Sequence, residues 1–272
     1  MPSNKPRGTL TKNASSAIID SMKPEMNDAL RRRAAVHAAL GDPGRLSIVD
    51  ALTWGEASPG ELGQRLGMGT NLLAHHLRVL EDVGLVRRHR SEGDRRRSYV
   101  TLVRGLAVEL HPAVTGVRAG RVVFVCTQNS ARSQLAASLW NDTSPVLATS
   151  AGTHPAPAVH PGAIAVARRR RLSLVSTPPR HLDDVLAEQD LVVTVCDNAH
   201  EELATHAGQP GQAERDGMHW SIPDPVRAGE AAAFDRVVDE LTDRIARLAP
   251  LVTPVAAPIV ASRRPAEDRR TS

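Results

Sequence analysis

Between Ala29 and Val83 apolar residues recur at helical spacing in four stretches. The first, Ala29–Leu40, carries Leu30, Ala34, Val36 and Leu40. Asp42-Pro43 opens the second, with Asp42 as cap and Pro43 in the first turn, and turns Leu46, Ile48, Val49 and Leu52 inward. Ser58-Pro59 opens the third, which runs to about Leu66. In it Glu61 completes a capping box with Ser58, and Leu62 and Leu66 face the core. Gly67–Gly69 is a turn, after which Thr70 or Asn71 caps a fourth helix through about Val83, ended by Gly84. The pattern then shortens: Leu85–Arg90 and Arg97–Leu102 read as strands around the turn Ser91-Glu92-Gly93-Asp94. Helix, tight turn, helix and basic hairpin is the order of a winged helix-turn-helix.

Beyond residue 119 strands and helices alternate. Strands are predicted at 121–125, 146–150, 190–195 and about 217–221, and helices at 133–141, 160–171 and 231–248. This alternation predicts an α/β doubly wound parallel sheet with helices on both faces. Residues 1–27 and 252–272 are polar or proline-rich and read as a disordered arm and tail. The expected division is therefore 1–27 arm, 28–118 winged helix, 119–251 α/β domain and 252–272 tail. No repeat of domain-building length is visible. No apolar run is long enough to span a membrane and no apolar signal core opens the chain, so a cytoplasmic protein without membrane contact is expected.

Composition adds two points. The net charge of +4 over 272 residues is uneven: residues 1–118 carry +6 and residues 119–272 carry −2, which directs any nucleic-acid contact to the first half. Two cysteines exclude a disulfide scaffold and suit a reducing compartment. The dominance of arginine over lysine reflects genomic base composition and carries no chemistry.

A recognition helix offers its first turns to base edges in the major groove. Thr70, Asn71, His75 and Arg78 share the polar face of the fourth helix, opposite Leu73, Leu77 and Leu80. The hairpin supplies Arg87, Arg88, Arg90, Arg95, Arg96 and Arg97 for phosphate and minor-groove contact. His75 and His76 point about 100° apart on a helix, so they do not form a metal pair, and His76 is read as a packing residue. The stretch from Ala39 to Tyr99, with GDPGRLSI, HHLRVLEDVGLV and the arginine-rich wing, resembles the ArsR/SmtB family of bacterial repressors. The resemblance implies double-stranded operator DNA as partner and a homodimer reading two half-sites. Arsenite-sensing members often carry two cysteines on the third helix, where this chain has EASPGEL. Thiophilic metalloids need thiolates, so this half offers no such site. Glu109 and His111 are too few for a metal site near its end, and no metal is expected. Any effector acts through the second half.

There, Arg121–Val125 leads into Cys126-Thr127-Gln128-Asn129-Ser130-Ala131-Arg132-Ser133 and then a helix. With 31 arginines in 272 residues, the Cys-x5-Arg spacing alone is weak; the strand–loop–helix setting strengthens it. Such a loop gathers backbone N–H groups into an anion nest at a helix N-terminus. Thr127, Gln128, Asn129, Ser130, Ala131 and Arg132 would surround an oxyanion, with Arg132 as a bidentate fork. The same field makes Cys126 a thiolate nucleophile, to which Ser133 can donate a hydrogen bond. Asn129 suits a left-handed loop position.

From about 121 to 250 the chain resembles the low-molecular-weight protein tyrosine phosphatase fold, and more closely its arsenate reductase branch. The supporting phrases are VVFVCTQNSARSQLAASLWN, TSAGTHPAPAVHPGA, DLVVTVCDNAHEEL and HWSIPDPVRAGE. The resemblance implies Asp224, in Asp224-Pro225, as general acid. Val226-Arg227-Ala228-Gly229 follows it, where phosphatases of this family usually place aromatic residues. The resemblance also implies Cys196 as a resolving thiol, although a buried strand cysteine is the alternative. Thioredoxin-coupled members carry a third cysteine where this chain has Leu203. No tightly bound cofactor is expected. The reductant is left open among thioredoxin, a glutaredoxin-type protein and a low-molecular-weight thiol, and the oxyanion between arsenate and phosphate. Three functions follow: regulator with reductase, regulator with a non-catalytic oxyanion or redox sensor, and phosphoester phosphatase.

Overall fold

The structure is a computed structural model that describes residues 28, 30–103, 116–174, 178–206 and 217–255. The expected arm at 1–27, Glu109 with His111, and the tail from 256 onward lie outside the described residues. The described residues fall into two compact units. One is drawn from 1–90 and 98–112, the other from 91–97 and 113–272. The turn 91–97, expected with the first domain, thus groups with the second.

In the first unit α1 covers 30–40, α2 Pro43–Thr53, α3 Pro59–Leu66 and α4 Thr70–Asp82. Their starts follow from local chemistry. The Asp42 carboxylate accepts the Arg45 N–H at 2.9 Å. The Ser58 hydroxyl accepts from Glu61 N–H while the Glu61 carboxylate accepts from Ser58 N–H, a complete capping box. Gly67 ends α3 in the left-handed region at φ 62°, open to glycine without Cβ strain. The N-cap of α4 is Gly69, with no side-chain cap, so Thr70 and Asn71 lie inside the helix with their side chains exposed rather than capping it. Ile48, Val49, Leu62, Leu73, Leu77 and Leu80 close the core. Leu46, expected inward, is exposed at 39%, and Leu66, also expected inward, is only partly buried; Leu30 in α1 is exposed at 59%. At Leu46 the inward arc of α2 is already filled by Ile48, Val49 and Leu52. β1 (Val86–Arg90) and β2 (Ser98–Leu102) pair antiparallel, Val86 opposite Leu102.

In the second unit β3 (Val117–Ala119) pairs parallel with β8 (Val252–Pro254), so ordered backbone runs past the expected boundary at 251. The main sheet comprises β4 (Arg121–Cys126), β5 (Ala148–Gly152), β6 (Asp190–Thr194) and β7 (Met218–His219), all parallel in the order β5-β4-β6-β7. Arg121 and Asp190 face each other across the β4–β6 register and form a two-pronged ion pair at 3.0 and 2.6 Å. The connecting helices are α5 (Arg132–Asn141), α6 (Pro161–Arg170), α7 (Asp197–His206), the short α8 (Pro225–Ala228) and α9 (Ala231–Leu248). β5 starts two residues later than the hydrophobic pattern suggests. The Asn141 amide grips both backbone groups of Ala148, at 2.7 and 3.0 Å, and holds the preceding residues to the end of α5. Phe124 packs on Trp140 and Trp220, with ring centroids 5.8 Å apart in both pairs.

Candidate active site

β4 is fully buried from Val122 to Cys126 and delivers Cys126 to the carboxyl edge of the sheet, where α5 begins six residues later. The loop between them is shaped by the chain that follows β5. The carbonyls of Cys126, Thr127, Gln128 and Ser130 accept N–H groups from Thr153, His154, Ala156 and His160, at 2.8–3.2 Å. Four of the loop's carbonyls are thereby engaged by the following segment, which leaves the loop amides to serve the sulfur and its ligand. Asn129 N–H donates to Cys126 Sγ at 3.2 Å. This outer strap requires Gly152: a Cβ there would lie 2.7 Å from Thr127 O and 2.9 Å from Asn129 N.

Asn129 adopts φ 49°, as its residue type suggests. Its amide nitrogen donates to Ser133 Oγ at 2.9 Å, and Ser133 Oγ lies 3.1 Å from Cys126 Sγ. With its lone pair taken by Asn129, the Ser133 hydroxyl proton is free to point at sulfur. The Asn129 carbonyl oxygen accepts from Arg180 N–H at 3.0 Å and from Gln134 at 3.4 Å. A continuous chain of hydrogen bonds thus runs from Arg180 through Asn129 and Ser133 to the sulfur. Thr127, Gln128, Ser130 and Ala131 complete the loop, and Gln128 is exposed.

Arg132 is 8% exposed. It donates to Ile222 O at 3.0 Å and to Asp224 Oδ2 at 3.1 Å, which brings Asp224 to the loop. The other Asp224 oxygen accepts Val226 N–H and caps α8. Burial opposes the Arg132 charge, but the fields of Cys196, Cys126 and Asp224 outweigh it and raise its pKa. Cys196 lies two residues beyond β6, and its Sγ is 3.5 Å from Thr127 Oγ1. Burial pushes its thiol up, Arg132 pulls it down, and neighbouring Cys126 pushes it up again. Cys126, Arg132, Ser133, Asp224 and Cys196 therefore share one site. Both cysteines are free thiols. In the first unit Thr70, Asn71, His75 and Arg78 are all exposed along α4, and His76 is buried. Arg95, Arg96 and Arg97 are exposed in the turn 91–97, Arg96 paired with Asp94. Among the described residues no cluster of His, Cys, Asp and Glu could hold a metal ion.

Behind Cys196 lies a polar group that sequence reasoning missed. Asp197, the first residue of α7, meets His219 of β7 at 3.1 Å, and the other His219 nitrogen lies 3.0 Å from Thr194 Oγ1. The His200 ring stacks on His219 at 4.1 Å. Burial alone would raise the Asp197 carboxyl; hydrogen bonds from His219 and Ser221 outweigh it and hold it at about 2, below the ordinary 3.8. A carboxylate so depressed contributes about 2 kcal/mol of stability, fully present above about pH 4 and lost as pH falls through about 2. Asp197→Asn is expected to lower the urea midpoint at pH 7 and to flatten the loss of stability between about pH 4 and 2. An unchanged acid limb would remove the pair from the acid sensitivity of the fold.

Residues 121–257 match the family described as Low molecular weight phosphotyrosine protein phosphatase, and residues 40–89 match a Helix-turn-helix domain. Over 137 residues the chain is 33% identical to Arsenate reductase 1 of Bacillus cereus, covering 47% of this chain and 92% of that protein. Over 137 residues it is 31% identical to an arsenate reductase of Brevibacillus brevis, with the same shares. A crystal structure of arsenate reductase from Archaeoglobus fulgidus aligns at 28% identity and a TM-score of 0.40, over 48% of this chain and 99% of that one. The first family match takes in half of the chain, and by it the chain belongs to the low molecular weight phosphotyrosine protein phosphatase family.

Proposed function

We propose that the chain is an operator-binding regulator whose second unit reduces arsenate to arsenite. The observation that carries the reading is the second thiol: Cys196 Sγ lies 3.5 Å from Thr127 Oγ1, in the loop that Cys126 opens. Ester hydrolysis has no use for it, whereas reduction of an oxyanion by two electrons needs two thiols. The relatives that cover this half are themselves named arsenate reductases. An aryl phosphate would also need an exposed aromatic wall, and Trp140 and Trp220 are 0% and 2% exposed.

In the proposed cycle the loop N–H groups and the Arg132 guanidinium receive arsenate. The Cys126 thiolate, steadied by Ser133, attacks arsenic and forms a sulfur–arsenic bond. Asp224 gives its proton to the departing hydroxyl, which leaves as water. The Cys196 thiolate then attacks Cys126 Sγ. The sulfur–arsenic bonding pair passes to arsenic, As(V) becomes As(III), arsenite departs and a Cys126–Cys196 disulfide remains. An external dithiol or two small thiols return both cysteines to the reduced state.

Arsenite production by the purified chain tests this, with thioredoxin, glutaredoxin-type and small-thiol systems supplied in turn. Cys126→Ser is expected to abolish turnover with every reductant, and Cys196→Ser to abolish it with thioredoxin. Hydrolysis of an aryl phosphate without arsenite would make the unit a phosphatase. Arsenate binding without either reaction would make it a sensor.

For the first unit the reading is operator recognition by α4, supported by the helix-turn-helix match and by the exposed Thr70, Asn71, His75 and Arg78. Arg95, Arg96 and Arg97 would add phosphate contacts. Asn71→Ala is expected to cost about 1–3 kcal/mol of discrimination between operator and scrambled DNA. Equal loss on both sequences would exclude base reading by that residue.

A further inference from the structure

The turn 91–97 forms part of the second unit, and its placement there is specified at several points. Glu92 N–H donates to Asp197 Oδ2 at 2.7 Å, and Asp94 N–H to Glu201 Oε2 at 2.8 Å, both on α7. The Ser91 hydroxyl accepts Gly93 N–H at 2.8 Å and tightens the turn. Gly93 lies close against α7: a Cβ there would displace the side-chain ends of Asn198 and Glu201 and sit 3.3 Å from the Asn198 backbone. The product of this anchoring is the position of one side chain. The Glu92 carboxylate accepts the backbone N–H of Asp224 at 3.0 Å. Asp224 is the residue that Arg132 holds.

We infer that Glu92 is a further residue of the oxyanion site: it positions the Asp224 loop and places a negative charge that competes with the bound oxyanion for the field of Arg132. The inference rests on the oxyanion-site reading above and adds a regulation to it. Two negative groups beside one guanidinium repel each other: the Glu92 carboxylate sits on the backbone N–H of Asp224, the residue that Arg132 holds, and adds to the field that stabilises the Arg132 charge. A bound oxyanion therefore weakens the seating of Glu92, and by reciprocity a seated Glu92 weakens the oxyanion. Glu92 lies on the turn that joins β1 and β2, the two strands of the arginine-rich hairpin. Oxyanion binding is in this way linked to the turn that carries Arg95, Arg96 and Arg97.

The test uses the full reduced chain and inorganic phosphate, read by protection of Cys126 from iodoacetamide, which needs no turnover. Glu92→Gln keeps an oxygen that can accept the Asp224 N–H but removes the charge. It is expected to bind phosphate about three- to tenfold more tightly than wild type, the difference shrinking as salt is raised. Glu92→Ala removes the acceptor as well and is expected to add a loss of kcat for arsenate, with its pH profile altered through Asp224. Operator affinity of the wild type is expected to differ at least about threefold with and without saturating phosphate, and this difference to vanish in Glu92→Gln. Unchanged phosphate protection in Glu92→Gln, or an operator response equal in both proteins, would overturn the inference. Absence of phosphate protection in the wild type would instead remove the oxyanion reading on which it stands. Circular dichroism and the urea midpoint of each variant separate these outcomes from unfolding.

Discussion

The second unit depends on where four carbonyls point. A loop of five residues between a strand and a helix can gather its amides around a single atom only if its carbonyls find other partners. Here the segment after β5 supplies them, with Thr153, His154, Ala156 and His160 donating to Cys126, Thr127, Gln128 and Ser130. The strap can lie that close because position 152 has no Cβ. The parallel β4–β5 pairing, Cys126 opposite Gly152, brings strap and loop together. Helix α5 then begins with Arg132 already buried, so its guanidinium faces the same small volume as the sulfur.

The rest of the site follows from this frame. Asn129 and Ser133 relay the backbone's order to the sulfur, and Arg132 reaches across to Ile222 O and Asp224 to join the α8 loop to it. The buried Asp197–His219 pair anchors the turn immediately after Cys196.

Much of this could be read along the chain because the decisive interactions are local. Asp42, Ser58 and Glu61 cap the helices beside them, and the Cys126–Ser133 loop carries its chemistry in consecutive residues. The role of Asp224 is legible only through resemblance, whereas Cys196, at the end of the strand DLVVTVC, is placed on the same sheet edge as the Cys126 loop by the parallel alternation itself. What stayed hidden needs tertiary contact. Gly152 matters through a strap whose path depends on sheet register, although a glycine inside TSAGTHP was an available signal. His219 and Thr194 lie 25 residues apart, and Glu92 and Asp224 lie 132 residues apart. The inward face of α2 illustrates the converse: four apolar residues satisfied the helical period, yet only three found room in the core. Likewise β5 begins at Ala148 because the side chain of Asn141 outranks the hydrophobic pattern.

In the proposed function one cradle holds both the oxyanion and the electrons that reduce it. The most direct measurement is a single turnover: reduced chain mixed with excess arsenate and no external reductant, with arsenite and free thiols counted together. The expected result is one arsenite per chain and loss of both free thiols as a Cys126–Cys196 disulfide, identified by peptide mass. Arsenite formed while Cys196 stays free, or no arsenite from a chain that protects Cys126 in the presence of arsenate, would contradict it.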